Sequence, residues 1–258
     1  MKQPLAFINP DARIHPSVVI EPFVTIQGDV EIGEGCHIGP NVTIMDGARI
    51  GKNVTVFPGA VISGPPQDLK FRGEKTLAII GDNTVIRECV TVHRGTASKG
   101  KTVVGSNCLI MAYCHVAHDC VVGNNVIMSN AVQIAGEVVI DDFAVIGGGA
   151  LIHQFCHIGS HVMLQGGALV NKDIPPYVKA ARDPIAYVGV NSIGLRRRGY
   201  TNETIRDIQE IYRYLYLSGL NNSDAVSRIE AELPASKERD EIILFVRNSG
   251  RGIIRGYV

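Results

Sequence analysis

The sequence predicts an all-β parallel β-helix over residues 1–190, followed by a small α-helical domain over residues 191–258. Three observations predict this fold. A six-residue repeat covers most of the first 170 residues, tryptophan is absent, and the repeat then gives way to segments with helical periodicity. Because aromatic residues make up only 6% of the 258 residues, small and β-branched side chains must fill the interior.

The repeat is clearest at its third position, which is aliphatic from Ile14 to Ile62, from Ile80 to Val92 and from Val104 to Val170. Its first position is small or β-branched. A helix would repeat near 3.6 residues and a simple strand at 2, whereas self-similarity at six residues indicates a parallel β-helix. Three repeats then form one triangular coil, and successive coils stack at about 4.8 Å through backbone hydrogen bonds.

Each position of the repeat has a predicted direction. Positions one and three point into the prism and position two points outward, as alternation along a strand requires. The remaining positions turn the corner, where glycine and asparagine are expected because they tolerate left-handed backbone angles. Glycine recurs at position four and asparagine at position six: Gly33, Gly39, Gly51, Gly81, Gly105, Gly123, Gly147 and Gly159, and Asn41, Asn53, Asn83, Asn107 and Asn125.

Two segments, 63–76 and 94–101, abandon the repeat and are rich in Pro, Gly and charged residues. They are predicted to be loops that leave the prism. Loops on a rigid scaffold often carry function, although solvated padding is the simpler interpretation.

The repeat ends near residue 178, and three helices are predicted after it. Residues 201–219 combine a Thr/Asn cap, an apolar stripe and a closing glycine. Residues 223–233 stop at Pro234, and residues 236–250 form the third helix.

Composition excludes several classes of protein. Basic and acidic residues balance at 25 each, which gives no general attraction to nucleic acid. No segment approaches the roughly 20 apolar residues of a membrane span, and the first ten residues do not read as a signal peptide, so a cytoplasmic location is expected. Six cysteines in a chain of this length do not indicate a disulfide scaffold.

The segment 113–123, "YCHVAHDCVVG", resembles a metal site because it holds Cys114, His115, His118, Asp119 and Cys120. The cysteines occupy position one and point inward, whereas His115 points outward and the other two residues lie at a corner. Zinc ligands must converge on one ion at about 2.0–2.3 Å. Cysteines inside the prism and histidines outside it cannot do so. The cysteines are therefore predicted to be small apolar filler and no metal site is expected.

His118 is the most informative residue of this segment. Steps of eighteen residues along its corner lead to Gly136, Gln154 and Lys172. His93, His115 and His153 add three imidazoles that are expected near the same groove. This combination suits a general base beside a polar ligand.

Five motifs carry a resemblance to a known family: "QDLK" (67–70), "TVHRGT" (91–96), "AHDC" (117–120), "IHQFCHIG" (152–159) and "NSIGLRRRG" (191–199). Together they resemble the acyl-[acyl-carrier-protein]–UDP-N-acetylglucosamine O-acyltransferases of lipid A synthesis. The resemblance implies a left-handed β-helix, a homotrimer with active sites between subunits, and transfer of a 3-hydroxyacyl chain from acyl carrier protein to the 3-hydroxyl of UDP-N-acetylglucosamine. It implies no metal or cofactor.

The resemblance also implies roles for individual residues. His118 is the general base, Asp119 supports it, and the Gly136 backbone N–H holds the thioester oxyanion. Two further groups would contact substrates, the first at the sugar or acyl chain and the second at the nucleotide: Asp68, Lys70, His93 and His115, and then Gln154, Asn191, Arg197 and Arg198. In the family, the side chain at the position of Gly166 closes the far end of the acyl groove. A glycine there leaves the groove open and implies long chains of about fourteen carbons or more, because each buried methylene contributes about 0.8 kcal/mol.

Two positions depart from the family pattern. Glu137 replaces a histidine after the oxyanion glycine, and Ile193 replaces a glutamate near the nucleotide. Glu137 is expected one coil from Asp119, where two neighbouring carboxylates would raise a pKa.

Three alternatives remain open at this point. The chain could be another hexapeptide acyltransferase, either CoA-dependent or the later N-acyltransferase of the pathway. It could be a γ-type carbonic anhydrase, or a scaffold without activity. The residues also leave open whether the acceptor carries a 3-hydroxyl or a 3-amino group.

Overall fold

The computed structural model describes residues 5–256, and the repeats form a three-sided prism with one parallel sheet on each side. Each coil contributes one strand to faces A, B and C in turn. Face A contains β1 Phe7–Ile8, β4 Thr25–Ile26, β7 Thr43–Ile44, β10 Val61–Gly64, β13 Thr91–His93, β16 His115–Val116, β19 Gln133–Ile134, β22 Leu151–Ile152 and β25 Leu169–Val170.

The other two faces follow the same order along the prism. Face B contains β2 Arg13–Ile14, β5 Glu31–Ile32, β8 Ala48–Ile50, β11 Leu77–Ile80, β14 Lys101–Val104, β17 Val121–Val122, β20 Val139–Ile140 and β23 His157–Ile158. Face C contains β3 Val19–Ile20, β6 His37–Ile38, β9 Thr55–Val56, β12 Val85–Ile86, β15 Leu109–Ile110, β18 Ile127–Met128, β21 Val145–Ile146, β24 Met163–Leu164, β26 Val178–Ala181, β27 Ala186–Val190 and β28 Arg255–Gly256.

Strand register confirms the eighteen-residue coil. His115 pairs with Gln133, one coil later. Thr91 pairs with His115 across the second loop, a separation of 24 residues, and Val61 pairs with Thr91 across the first, a separation of 30. The loops therefore lengthen two coils, and regular pairing continues beyond them, with one register shift between Ile62 and Gly64 in β10.

Both loops leave at the corner between faces A and B. The first occupies 65–76 rather than 63–76, because Ser63 and Gly64 continue β10. The second occupies 94–100, because Lys101 already belongs to β14. His118 and Asp119 connect β16 on face A to β17 on face B, so they lie at this same corner.

The predicted directions of the repeat positions are confirmed. Val132 and Ile134, at positions one and three, are 0% and 1% exposed. The five asparagines at position six all adopt left-handed angles, with φ between 54° and 58°. Other residues share this conformation, including Asp119 and Glu137 at 60° and Phe155 at 65°. The stacked coils impose the corner geometry even on side chains that rarely adopt it.

The last coil leads into strands that the repeat did not predict. β26 pairs in parallel with β24, β27 returns antiparallel to β26, and β28 pairs with β27. The Tyr212 hydroxyl donates to the Pro176 carbonyl over 2.5 Å, which ties the helices to the end of the prism. A terminal cap of this kind protects the open end of a stacked-coil fold.

In the part of the chain that the structure describes, four helices follow the prism: α1 Ser192–Arg197, α2 Asn202–Leu217, α3 Asn222–Glu232 and α4 Lys237–Asn248. The three predicted helices correspond to α2, α3 and α4, and Thr201 caps α2 by accepting from the Thr204 N–H. The short α1 is additional. Within residues 5–256, none of these helices has the length and apolar character needed to span a membrane.

Candidate active site

Three residues of the A/B corner stack in successive coils: His118, Gly136 and Gln154. The Glu137 N–H donates to the His118 carbonyl over 3.0 Å, and the Phe155 N–H donates to the Gly136 carbonyl over 3.2 Å. These backbone bonds confirm the stacking that the eighteen-residue step predicted.

His118 pairs with its neighbour in sequence, because the corner directs both side chains to one place. His118 Nδ1 lies 2.9 Å from Asp119 Oδ2. The Asp119 side chain is fully buried, whereas the imidazole is 19% exposed. An ionised carboxylate can only accept, so Nδ1 carries a proton, and in the neutral imidazole Nε2 is then the nitrogen with the lone pair.

The second loop surrounds the Asp119 carboxylate. Oδ1 accepts from the Thr96 N–H at 2.9 Å and from the Lys99 N–H at 3.3 Å, and Oδ2 accepts from the Thr96 hydroxyl at 2.6 Å. Burial alone would raise the pKa of Asp119, but the hydrogen bonds from Thr96 and His118 outweigh burial and lower it. Asp119 is therefore a stable anion at neutral pH.

Gly136 lies directly beneath the His118 ring. A Cβ at residue 136 would stand 2.6 Å from Cε1 and 2.7 Å from Nε2 of His118, closer than real contacts allow. Nowhere in residues 5–256 does the Gly136 N–H find an acceptor. A free N–H beside an imidazole nitrogen that can accept a proton is a pairing suited to acyl transfer.

Glu137 contacts the second loop and is not among the groups that shift the pKa of Asp119, which corrects the expectation of two interacting carboxylates. Its Oε2 lies 3.6 Å from Lys99 Nζ, and its Oε1 accepts from the Ser98 hydroxyl at 3.4 Å. The pKa of Asp119 is lowered rather than raised, because its donors come from the second loop and from His118.

His93 and His115 form an imidazole pair beside this corner. Their ring centroids lie 4.6 Å apart in an edge-to-face arrangement, and His115 Nδ1 lies 2.7 Å from the Thr91 hydroxyl. Burial, reinforced by His115 and His118, lowers the pKa of His93 to about 4. His93 Nδ1 is buried without a partner in the described part of the chain. The pair is neutral at physiological pH and offers polar atoms to a ligand.

The cysteines lie on the other side of the wall, as predicted. The Cys114 thiol donates to the Ser129 carbonyl and the Cys120 thiol donates to the Ala135 carbonyl. Burial raises the pKa of Cys114 to about 11 and that of Cys120 to about 12. Residues 5–256 contain no group of three or more His, Cys, Asp or Glu side chains arranged to hold a metal ion.

The first loop brings Asp68 and Lys70 to the same corner, but not into contact with the imidazoles. The Asp68 carboxylate accepts from the Lys70 N–H at 2.8 Å, which closes a local turn and leaves the Lys70 side chain exposed. The two loops meet where the Arg94 guanidinium lies 5.4 Å from the centre of the Phe71 ring.

An apolar groove runs along face A from the imidazole pair toward the last coil. It has a volume of about 440 Å³, and His115, Leu151, His153 and Leu169 are among the residues that line it. Leu151 and Leu169 are 48% and 57% exposed. Gly166 lies at the C/A corner, at the far edge of this face, and is exposed.

The predicted nucleotide contacts from α1 lie elsewhere. Arg197 and Arg198 border a cleft of about 650 Å³ on face C, together with Val145, Met163 and Ile193. One chain therefore does not bring these arginines to His118, because face C is the side of the prism opposite the A/B corner.

The residues around α1 differ in what they can offer a ligand. Asn191 is only 7% exposed, donates to the His161 carbonyl and accepts from the Gly194 N–H, so it anchors the start of α1. Arg198 is half-buried and donates to the Phe143 carbonyl at 2.9 Å. Arg197 is exposed at the edge of the cleft.

Comparison with known proteins gives a consistent result. Residues 173–254 match the family described as UDP-N-acetylglucosamine O-acyltransferase, domain 2, and residues 11–46, 34–64 and 101–136 match the bacterial transferase hexapeptide family. The UDP-N-acetylglucosamine acyltransferase of Bacteroides fragilis is 55% identical, with a TM-score of 0.97 over 99% of this chain and 100% of that one. The Francisella novicida enzyme is 39% identical, with a TM-score of 0.96 over 99% and 94%.

The curated relatives agree with the structural ones. The acyl-[acyl-carrier-protein]–UDP-N-acetylglucosamine O-acyltransferase of Myxococcus xanthus is 43% identical over 253 residues, which is 98% of each chain. These matches and the observed coils confirm the predicted fold class, a left-handed parallel β-helix followed by a small helical region. The chain belongs to the acyl-[acyl-carrier-protein]–UDP-N-acetylglucosamine O-acyltransferase family.

Proposed function

We propose that this protein transfers a 3-hydroxyacyl group from acyl carrier protein to the 3-hydroxyl of UDP-N-acetylglucosamine, the first step of lipid A synthesis, with His118 as general base. The observation that carries the proposal is the position of His118 between the buried Asp119 carboxylate and the unpaired N–H of Gly136. No other corner of the described prism combines these three groups.

The chemistry follows from that geometry. His118 Nε2 takes the proton of the sugar hydroxyl while its oxygen attacks the thioester carbonyl carbon. The carbonyl oxygen becomes negative, and the Gly136 N–H donates to it. When the tetrahedral intermediate collapses, the carbon–sulfur bond breaks and the imidazolium returns its proton to the departing thiolate. Asp119 stabilises the imidazolium throughout, since it stays ionised.

The proposed site lies between two chains. His118 is at the A/B corner and Arg197 is on face C, so one substrate can reach both only if a second copy supplies the arginine. The homotrimer implied by the family resemblance would provide this arrangement. Exposed apolar residues on two faces support it, including Leu151, Leu169 and Met163. Met45, Val61 and Met111, which also project outward, are only half-exposed.

The substrate contacts divide by location. We assign the sugar and the start of the acyl chain to Asp68, Lys70, His93 and His115 at the A/B corner. Gln154 and Arg197 hold the nucleotide end, Arg198 contributes a second cation, and Asn191 acts by fixing α1. The acyl chain follows an apolar groove that ends near Gly166. The exposed glycine leaves room for a long chain.

The proposed route uses acid–base chemistry and a thioester donor, so it calls for no metal or other cofactor. The acceptor is a hydroxyl rather than an amine, as in the names of the relatives. The cytoplasmic location stays a prediction.

A transfer assay tests the proposal. Purified protein is incubated with 3-hydroxyacyl carrier protein or the matching CoA thioester, and with UDP-N-acetylglucosamine or its 3-amino analogue. We expect product only from the carrier-protein thioester and chiefly from the hydroxyl acceptor, as a base-labile ester. Equal turnover with CoA, or a preference for the amine, would contradict the assigned substrates.

Co-expression tests the shared site. His118→Ala and Arg197→Ala chains are made separately and together in one cell, with different affinity tags so that mixed oligomers can be isolated. Mixed oligomers should be more active than either parent, because some interfaces then contain both native residues. Activity that is only the average of the parents would place both residues in one chain's site.

A further inference from the structure

The second loop supplies three of the four hydrogen bonds that hold the Asp119 carboxylate. Two come from Thr96, through its N–H to Oδ1 at 2.9 Å and its hydroxyl to Oδ2 at 2.6 Å. Thr96 is 7% exposed and Asp119 is 0% exposed. The hydroxyl therefore meets the carboxylate away from water, where a charge-assisted bond is strong.

The direction of the Thr96 bond is fixed by a third residue. The Ser98 N–H donates to the Thr96 hydroxyl oxygen over 3.1 Å. A hydroxyl has a single proton, and the nearest acceptor for it is Asp119 Oδ2. Thr96 is thus held as a donor to the oxygen that also accepts from His118 Nδ1.

We infer that Thr96 is a positioning residue for the proposed reaction: through Asp119 it holds His118 in the tautomer whose Nε2 faces the acceptor hydroxyl. The inference rests on the proposed role of His118 as general base. Thr96 is linked to the imidazole through Asp119, whose Oδ2 accepts from both residues. Its hydroxyl fixes the rotation of the carboxylate, and that rotation fixes the imidazole.

A second threonine offers a matched control. Thr102 is also buried, at 0% exposed, and also contacts Asp119, but its hydroxyl accepts from the Asp119 backbone N–H at 2.8 Å. Thr102 therefore supports the corner without orienting the carboxylate. Thr96→Val and Thr102→Val make the same chemical change at two sides of one residue.

The kinetic test compares Thr96→Val, Thr96→Ser and Thr102→Val in the transfer assay, with thermal unfolding of each as a check on folding. Thr96→Val should lower kcat by about 10- to 100-fold with less than about threefold change in KM, because a transition-state interaction is lost. Thr96→Ser keeps the hydroxyl and should recover to within about threefold of wild type. Thr102→Val should lower the unfolding temperature with less than about threefold change in kcat.

Two measurements separate positioning from a merely structural role. In an Asp119→Asn background, Thr96→Val should cost less than about threefold, because its effect passes through the carboxylate. The 15N resonances of the histidine rings, assigned with His118→Ala, should show Nδ1 protonated in wild type and Thr96→Ser, and a mixture of tautomers in Thr96→Val.

The inference is overturned if Thr96→Val keeps full kcat, if Thr96→Ser is as impaired as Thr96→Val, if the losses multiply in the Asp119→Asn background, or if the tautomer is unchanged. These outcomes are distinct from failure of the proposed function. If the proposed function were wrong, the wild-type protein would transfer no acyl group, or His118→Ala would retain activity.

Discussion

The His118 imidazole lies so close to Gly136 that a methyl group on residue 136 would stand 2.7 Å from Nε2. The proposed base and the proposed oxyanion donor are thus neighbours in adjacent coils, held at a separation set by the stacking of the prism. Residue 136 must be glycine because any side chain would collide with the imidazole. The backbone does not demand it, since Gly136 lacks a positive φ.

Gly136→Ala should therefore impair the site and spare the fold. The added methyl displaces the His118 ring, and we expect kcat to fall by at least about 100-fold, with an unchanged unfolding temperature. Gly28→Ala is the matched control, because Gly28 occupies the same corner and repeat position and the atoms nearest to its Cβ would belong to the Asn9 side chain, at 3.3 Å. A comparable loss of activity in both variants would argue against a specific contact with His118.

Arg197 and Arg198, at the end of α1, should respond differently to substitution. Arg197 is exposed, so Arg197→Ala should raise KM for the nucleotide sugar by about 10- to 100-fold, the value of one charge-assisted bond, without changing stability. Arg198 also bonds to the Phe143 carbonyl, so Arg198→Ala should raise KM and lower the unfolding temperature. Arg196→Ala serves as the control. An increase in KM for the carrier protein alone would assign this cluster to donor docking.

Acyl-chain length should depend on Gly166. A Cβ there would meet the Gly148 carbonyl oxygen at 3.1 Å, a tight contact that needs only a small shift. Gly166→Ala controls for that shift, and Gly166→Met adds the bulk that closes the groove. With donors of several chain lengths, we expect Gly166→Met to favour shorter chains severalfold, at about 0.8 kcal/mol for each excluded methylene. Equal losses with short and long donors would make Gly166 a structural glycine.

Stability should fall in mild acid because two histidines are buried in neutral form. Burial is the main cause that lowers the pKa of His93 and of His161 to about 4. The unfolded chain therefore binds more protons between pH 6.5 and 4, and the stability present above pH 6.5 is lost as the pH falls through that window. For each histidine, the free energy of unfolding should fall by roughly 2 kcal/mol between pH 7 and 5.

His161→Phe isolates one of these two contributions. His161 stacks on Phe143 at 4.9 Å and has a φ of 58°, which Phe143 and Phe155 show to be compatible with phenylalanine. Denaturant unfolding of wild type and variant at several pH values gives the comparison. The variant should lose less stability on acidification; parallel curves would mean that His161 does not titrate in this range.

The periodic part of the molecule could be predicted because every coil repeats one environment. The interior positions, the asparagine corners and the stack of His118, Gly136 and Gln154 all follow from the six-residue period. β26, β27 and β28 have no such period, and α1 spans only six residues, too short for an apolar stripe to be visible. Loop bounds shifted by one or two residues because strands can extend beyond the repeat.

The site was less accessible to sequence reasoning where contacts are not periodic. Thr96 and Lys99 reach Asp119 and Glu137 from a loop, and only the presence of Thr96 in the "TVHRGT" motif hinted at a role. Asn191 is predicted as a nucleotide contact, and its additional role as the cap of α1 could not be predicted because it depends on the angle at which the chain leaves β27. The separation of Arg197 from His118, on different sides of the prism, became visible only with the sheet order.

The most direct test of the central claim is the turnover of His118→Ala with 3-hydroxyacyl carrier protein and UDP-N-acetylglucosamine. If His118 is the general base, kcat should fall by about 100- to 10,000-fold. The unfolding temperature should be unchanged, because the side chain lies outside the apolar interior. Turnover within threefold of wild type, in a variant that folds normally, would remove His118 from the mechanism.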